Sequence, residues 1–174
     1  MYNNSLKLAI ENERFDETEI ILEEISKSKD IQAIPLLIGY LRSTENALLR
    51  NSIALTLSDT GNEDVVQPLI DVINDPKTLG YRGTLLYALE PFDCSAHIET
   101  LVYHLINGNY EVQAQAYQLI KSFKKEIPNE VLLDCISNVR EELNEIERKV
   151  DLMSDTLETL CAFKKTKLPY CSIF

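Results

Sequence analysis

Apolar residues recur between residues 34 and 120 at the spacing of helix faces, and the pattern repeats along the chain. Leu36, Leu69 and Leu101 occupy equivalent places at separations of 33 and 32 positions. Each repeat holds two apolar stripes with steps of three, four and seven residues, which place their side chains on one face of an α-helix. In the second halves of the repeats the predicted stripes are Ile53, Ala54 and Leu57, then Leu85, Leu86 and Leu89, then Ala116, Tyr117 and Ile120. The pattern therefore predicts three consecutive repeats, each a pair of helices joined by a turn.

Residues that end and begin helices lie between the stripes. Gly61 suits the left-handed conformation that closes a helix, and Asn62 offers a side-chain cap for the next one. Gly108 and Asn109 do the same in the third repeat. A helix pair of this size cannot bury its apolar faces alone, so we expect the pairs to stack.

Two recurring features resemble HEAT repeats, in the short PBS-lyase HEAT-like form. They are the Pro-Leu-Leu and Pro-Leu-Ile triplets at Pro35 and Pro68, and the arginines that open the second helices, Arg50 and Arg82. The resemblance covers about residues 30–125. It implies an all-α superhelix, or solenoid, of about four to five helix pairs, with the second helices along its concave face.

The resemblance also implies that each of these arginines pairs with an acidic turn residue, for which Asp59 and Asp75 are the local candidates. The third repeat departs from the pattern, with Thr100 in place of proline and Gln113 in place of arginine. A single solenoid domain over 1–174 follows, with an N-terminal cap at 1–30, three repeats at 31–127, a C-terminal cap or heptad helix at 128–165 and a tail at 166–174. Within the N-terminal cap, Asp16 and Glu19 predict a capping box.

The C-terminal region has a different pattern. Residues 129–167 contain neither glycine nor proline, and apolar residues alternate in steps of four and three, which is a heptad seam. Two arrangements remain open: a folded-back helix pair that caps the solenoid, and an antiparallel homodimer whose flanking charges pair favourably. The seam comprises Leu132, Ile136, Val139, Leu143, Ile146, Val150, Met153, Leu157 and Leu160.

The charge balance narrows the class of partner. The 174 residues include 17 Lys and Arg against 28 Asp and Glu, for a net charge of -11. Nucleic-acid binding needs clustered cations, so it is disfavoured, whereas a basic partner protein is favoured. We expect a cytoplasmic protein that does not bind membranes, because neither a secretory signal nor a membrane-spanning run is apparent.

The sequence offers little for catalysis. His97 and His104 lie seven residues apart on one predicted helix, about 10 Å from each other, which is too far to share a metal ion. The common nucleophile, phosphate-binding and zinc-protease motifs are not found. We therefore expect no enzymatic activity, no cofactor and no metal.

A candidate partner-binding surface follows from the second helices and the turns that flank them. Leu55, Tyr87 and Gln118 occupy one equivalent position off the apolar stripe, Tyr81 and Tyr110 precede the helices, and acidic residues follow them. Tyrosine is a frequent anchor in protein interfaces. The predicted residues are Leu55, Asp59, Glu63, Asp64, Tyr81, Tyr87, Glu90, Asp93, Tyr110 and Gln118.

These features favour a non-enzymatic module that binds another protein. The resemblance extends to small bacterial HEAT-like proteins that serve as immunity proteins, which suggests occlusion of a cationic toxin such as a nuclease. Three alternatives stay open: a tetrapyrrole (phycobilin) lyase-like protein, a HEAT-like DNA glycosylase, and a regulatory scaffold that dimerises through the C-terminal helix. The acidic composition weighs against the glycosylase.

Overall fold

The computed structural model describes residues 2–167, with side chains through residue 164. The chain divides into two compact units, residues 1–128 and residues 129–174. Most of the predicted tail, residues 168–174, lies outside the described part of the chain.

The first unit consists of helices in consecutive pairs, and we find no strand among residues 2–167. Short 3-10 turns precede α3, α5 and α7, at Ile31–Ala33, Glu63–Val65 and Ser95–His97, and another at Pro76–Thr78 lies between α5 and α6. The helices of this unit are α1 (Asn3–Glu11), α2 (Phe15–Ser28), α3 (Ile34–Ser43), α4 (Ala47–Thr60), α5 (Val66–Asn74), α6 (Arg82–Tyr87), α7 (Ile98–Asn107) and α8 (Tyr110–Lys121).

The pairs stack into two layers, as a solenoid requires. Each second helix packs on the next, α2 on α4, α4 on α6 and α6 on α8. The first helices are joined by polar contacts: the Arg42 guanidinium donates to Asp71 at 2.8 Å, and His104 Nε2 lies 3.1 Å from Asn74 Oδ1. Because each second helix runs back along its partner, the N-termini of the second helices share one edge of the stack.

The predicted apolar stripes form the core between these layers. Ile53, Ala54 and Leu57 are fully buried in α4, and Leu85 and Leu86 are fully buried in α6. Full burial of such side chains stabilises a fold by roughly 1.5–3 kcal/mol each. The sequence pattern therefore identified the core of these repeats correctly.

Most turn residues act as predicted, but Gly108 is extended after α7, with φ of -77°, and does not take the left-handed conformation expected of it. Gly61 ends α4 with φ of 68°, and the Asn62 side chain accepts from the backbone N–H of Asp64. Asn109 caps α8 by accepting from Val112. The capping box at Asp16 is wrong, because α2 begins one residue earlier, at Phe15, and places Asp16 inside its first turn.

Two second helices differ from expectation. α6 is only six residues long, and the chain continues in tight turns to Pro91, because Pro91 has no N–H to donate to Tyr87 O four residues earlier. In α8 the buried stripe is Val112, Ala116 and Leu119, whereas Tyr117 is 49% exposed with the Lys121 ammonium 5.3 Å from its ring centre. The stripe of α8 is thus rotated from the predicted one.

The recurring arginines cap helices instead of pairing with carboxylates. Arg50 Nη2 donates to the backbone oxygen of Thr44, at the end of α3, at 2.7 Å. Arg82 Nη2 donates in the same way to Asp75 O, at the end of α5, at 3.2 Å. The last carbonyls of a helix lack partners within it and carry negative partial charge, which a guanidinium satisfies. The expected pairing with carboxylates was wrong: Arg50 bonds Thr44 instead of Asp59, and Arg82 bonds Asp75 as expected but through its backbone oxygen.

Gln113 performs the same task where the repeat lacks arginine. Its Nε2 donates to Ile106 O in the last turn of α7 at 3.4 Å. The third repeat therefore keeps the local architecture with a neutral side chain.

The second unit holds one helix, α9 (Asn129–Lys167), which is continuous over 39 residues. The folded-back pair expected as one alternative is therefore wrong, because the helix has no internal turn. No glycine or proline interrupts it. Among residues 2–167, no helix combines the length and the apolar character that crossing a membrane requires.

Candidate protein-binding surface

One edge of the first unit exposes large apolar side chains where each second helix begins. We name this set the apolar edge. The exposures run from 55% at Phe15 to 87% at Tyr110, although most side chains of this size would be buried. Its members are Phe15, Leu48, Leu79, Tyr81 and Tyr110.

Contacts between neighbouring turns make this edge continuous. Phe15 and Leu48 line one cavity of about 300 Å³ between the starts of α2 and α4. Lys77 donates to Arg42 O and lies 3.8 Å from Glu45, which joins the turn before α4 to the turn before α6.

The last pair is joined at the same edge. The side chain of Glu111, in the first turn of α8, packs directly over Gly83 of α6 and leaves no room for a Cβ there. Glycine thus permits the close approach of these two helix starts.

The apolar edge also carries negative charge. The turns and helix starts that form it, residues 12–17, 44–49, 75–84 and 108–112, hold six Asp and Glu against three Lys and Arg. Glu45 is 82% exposed at its side chain. A ligand for this edge needs apolar groups for its rings and leucines and positive charge for its carboxylates.

The opposite edge, at the C-terminal ends of the second helices, holds the predicted acidic residues. Residues 59–65 and 88–97 contain five Asp and Glu and no Lys or Arg. Asp59 accepts a hydrogen bond from Ser26 Oγ on α2. We name this set the acidic edge; its members are Asp59, Glu63, Asp64, Glu90 and Asp93.

Local partners favour the charged form of Asp93. Desolvation raises the pKa of this carboxyl, but hydrogen bonds from Ser95 and the Lys124 backbone, together with the charge of Lys125, outweigh it, so the pKa lies below its usual value. Ser95 N donates to Asp93 Oδ1 at 3.1 Å. Asp93 therefore stays ionised and already serves the turn that follows α6.

The two side chains expected between these edges are accessible on α6 and α8. Tyr87 is 50% exposed at the end of α6, and Gln118 is exposed on α8. Leu55 is half-buried and packs against the core, so it offers less surface. Tyr87 and Gln118 thus add exposed side chains on the second helices.

Residues 6–90 match the family model of HEAT repeats. This segment consists of HEAT repeats. The match spans α1 to α6 and so includes the N-terminal pair, which the sequence pattern assigned to the N-terminal cap as a degenerate repeat. No curated protein and no solved structure matches the chain.

HEAT repeats are generally non-catalytic scaffolds for contact between proteins. Within residues 2–164, no cluster of His, Cys, Asp or Glu side chains is suited to hold a metal ion. His104 is 1% exposed, and burial together with the positive charge of Arg82 lowers its pKa to about 4. It is therefore neutral at pH 7, and its Nε2–H donates to Asn74 Oδ1. This is a structural role within the stack of helix pairs at residues 2–128, which we name the HEAT stack.

Burial also defines the role of one thiol. Cys94 is 1% exposed, and desolvation followed by the charge of Asp93 raises its pKa to about 11. A thiol with so little thiolate at pH 7 is a poor nucleophile, so the role of Cys94 is to pack in the core of residues 2–128.

Sequence reasoning found part of the apolar edge and missed the rest. Tyr81 and Tyr110 were identified from their equivalent places, but Phe15, Leu48 and Leu79 were not. The available signal was an apolar residue in the turn or first turn of each second helix, off the buried stripe. Such residues have no place in the core of a HEAT repeat, which leaves them for contacts outside it.

Proposed function

We propose that this HEAT-repeat protein binds another protein of basic charge with the apolar edge as the main contact. The observation that carries the proposal is the repetition of exposed rings and leucines at the starts of four successive second helices, among excess carboxylates. Monomeric proteins rarely expose contiguous apolar surface without a partner. Tyrosines supply contact area at low entropic cost.

The partner would extend from the apolar edge across the second-helix layer to the acidic edge. A helix of 14 residues such as α4 is about 21 Å long, so a domain of ordinary size reaches both edges. Carboxylates around an apolar contact steer a basic partner and set its orientation more than they add affinity. The predicted residues at both edges, with Tyr87 and Gln118 between them, fit this footprint.

The most concrete form of the proposal is an immunity protein in a bacterial cytoplasm that occludes a cationic toxin, such as a nuclease. The support is the small acidic scaffold and its continuous surface on a HEAT stack. The products of the neighbouring genes are the first candidates for the partner. We expect such a toxin to bind tightly and to bind less well at high salt.

The experiment is co-expression of the chain with each neighbouring product, scored by growth and by co-purification. Tyr81→Ser with Tyr110→Ser should abolish protection, because truncation of buried interface tyrosines commonly costs 2 kcal/mol or more. Tyr103→Ser is a matched control, since Tyr103 is 57% exposed against 56% for Tyr81 but lies in the first-helix layer. It should leave protection intact.

Two further variants separate the surfaces. Tyr87→Ser tests the second-helix layer without touching the apolar edge. Glu45→Gln should reduce the salt dependence of binding more than the affinity at high salt. If no basic neighbouring product binds, or if the Tyr81 and Tyr103 variants behave alike, the proposal is wrong.

A further inference from the structure

The seam of α9 is exposed at eight of its nine apolar residues. Its apolar side chains range from 37% exposed at Ile136 to 71% at Met153, with Val139 half-buried. A seam of this kind repeats every 3.5 residues, whereas a straight helix turns every 3.6, so it stays in line only when two helices wind around each other. The seam therefore calls for a partner helix.

The seam is complementary to an antiparallel copy of itself. When two copies of α9 cross midway between Leu143 and Ile146, eight of the nine apolar residues of the seam meet one another, and Leu160 lies opposite Asn129. Because the pair has two-fold symmetry, each layer occurs twice along it. The layers join Leu132 to Leu157, Ile136 to Met153, Val139 to Val150, and Leu143 to Ile146.

The charges beside the seam select the same arrangement. In the antiparallel pair Arg140 faces Glu147 of the other copy, and Glu142 faces the other Lys149. In a parallel pair Glu142 would face Glu147, and like charges repel. Pairs at the rim of a coiled coil decide orientation and partner choice more than stability.

We propose that a second copy of this chain packs along α9 as a two-stranded antiparallel coiled coil. This goes beyond the proposed function and does not depend on it, because the seam residues lie in α9 and the apolar edge lies in residues 2–128. A dimer would carry two partner-binding surfaces and so could engage two partners or one symmetric partner.

Analytical ultracentrifugation of the full chain over a micromolar concentration series is the first test. We expect a dimer that dissociates on dilution. A monomer throughout the series would overturn the proposal.

Matched substitutions on α9 locate the interface. Leu143→Glu with Ile146→Glu places four carboxylates at the centre of the dimer and should yield a monomer. Leu152→Glu is the control, because Leu152 is 68% exposed on the same helix but lies off the seam. Dissociation caused equally by the control would contradict an interface at the seam.

A distance measurement decides orientation. Cys161 is exposed on α9 and can carry a spin label in a chain with Cys94→Ala, Cys135→Ser and Cys171→Ser. Labels in the antiparallel dimer would lie about 50 Å apart at 1.5 Å per residue, whereas labels in a parallel dimer would be near the ~10 Å interhelical spacing. Short distances in the dimer of the otherwise native chain would overturn the antiparallel arrangement.

Glu142→Lys sharpens this test. It sets Lys against Lys149 in the antiparallel pair, but against Glu147 in the parallel pair. We expect weaker association or a shift of the labels to short distance. An unchanged dimer with unchanged distances would show that these charges do not select the orientation.

Discussion

The HEAT stack and α9 both carry apolar residues at helical spacing, but the stripes of the stack are buried and that of α9 is exposed. In residues 2–128 the apolar stripes are enclosed, and Leu37, Leu57 and Leu85 have no exposed surface. In α9 the corresponding stripe remains open, with Leu157 at 63% exposure. A stripe thus shows that a helix needs a neighbour, but not whether the neighbour belongs to the same chain.

The lengths of the helices explain the difference. Helices of the stack contain at most 14 residues and end at turns that return the chain to its own core. Over 39 uninterrupted residues, α9 offers no such return. The short helices pair within the chain, whereas the exposed seam of α9 fits the proposed contact with a second copy of the chain.

Truncation of one leucine in each region tests this contrast with the largest expected effect on stability. Leu57→Ala should lower the free energy of unfolding by 2–5 kcal/mol at every protein concentration, because a buried side chain is replaced by a cavity. Leu157→Ala should change stability by less than about 0.5 kcal/mol in dilute solution. Denaturant unfolding followed by circular dichroism at two concentrations measures both.

The two results have different meanings. A loss for Leu157→Ala that appears only at high concentration supports contact between chains. A loss as large as that of Leu57→Ala at both concentrations would mean that the seam of α9 is buried within one chain.

Acidification should weaken the HEAT stack and leave α9, which contains no histidine, largely unaffected down to about pH 5. Burial and Arg82 lower the pKa of His104 to about 4, against 6.5 in the unfolded chain. The unfolded state therefore binds more protons between these values. The stabilisation that neutral His104 contributes to the folded state is thus present above pH 6.5 and is lost as the pH falls toward 4. Its full size is on the order of 3 kcal/mol.

Thermal unfolding from pH 7 to pH 4.5 measures this loss. His104→Gln should flatten the profile. His97→Gln should flatten it less, because desolvation lowers the pKa of His97 but the charge of Asp71 opposes that effect. A wild-type profile that is flat above pH 5 would contradict the shift at His104.

The sequence predicted the parts of the fold that follow from local rules. The stripe at Ile53 and Leu57 and the left-handed turn at Gly61 depend on spacing and on the conformational freedom of glycine, and both were found as predicted. The sequence did not predict that α6 ends at Tyr87, because its apolar spacing continues to Leu89 although the chain already turns before Pro91. Burial of Leu89 does not require it to be helical.

Features that depend on stacking were harder to predict. The edge residues Phe15 and Leu48 are far apart in sequence and share a cavity only because α2 packs on α4. The arginine partners were mistaken for carboxylates because a backbone carbonyl has no signature in the sequence. The fate of the α9 seam was left open because one pattern fits both a folded-back pair and a dimer.

The smallest effect that still separates the two regions concerns an arginine bonded to a backbone oxygen in each. Arg50 is 1% exposed and bonds Thr44 O across a turn, whereas Arg148 Nε bonds Asn144 O on the exposed surface of α9. Arg50→Met should cost about 1.5–3 kcal/mol, because it leaves a helix-terminal carbonyl without its charged donor. Arg148→Met should cost less than about 0.5 kcal/mol, since water replaces the bond. Chemical denaturation compares them, and a neutral Arg50→Met would show that the desolvation of the guanidinium cancels the benefit of the cap.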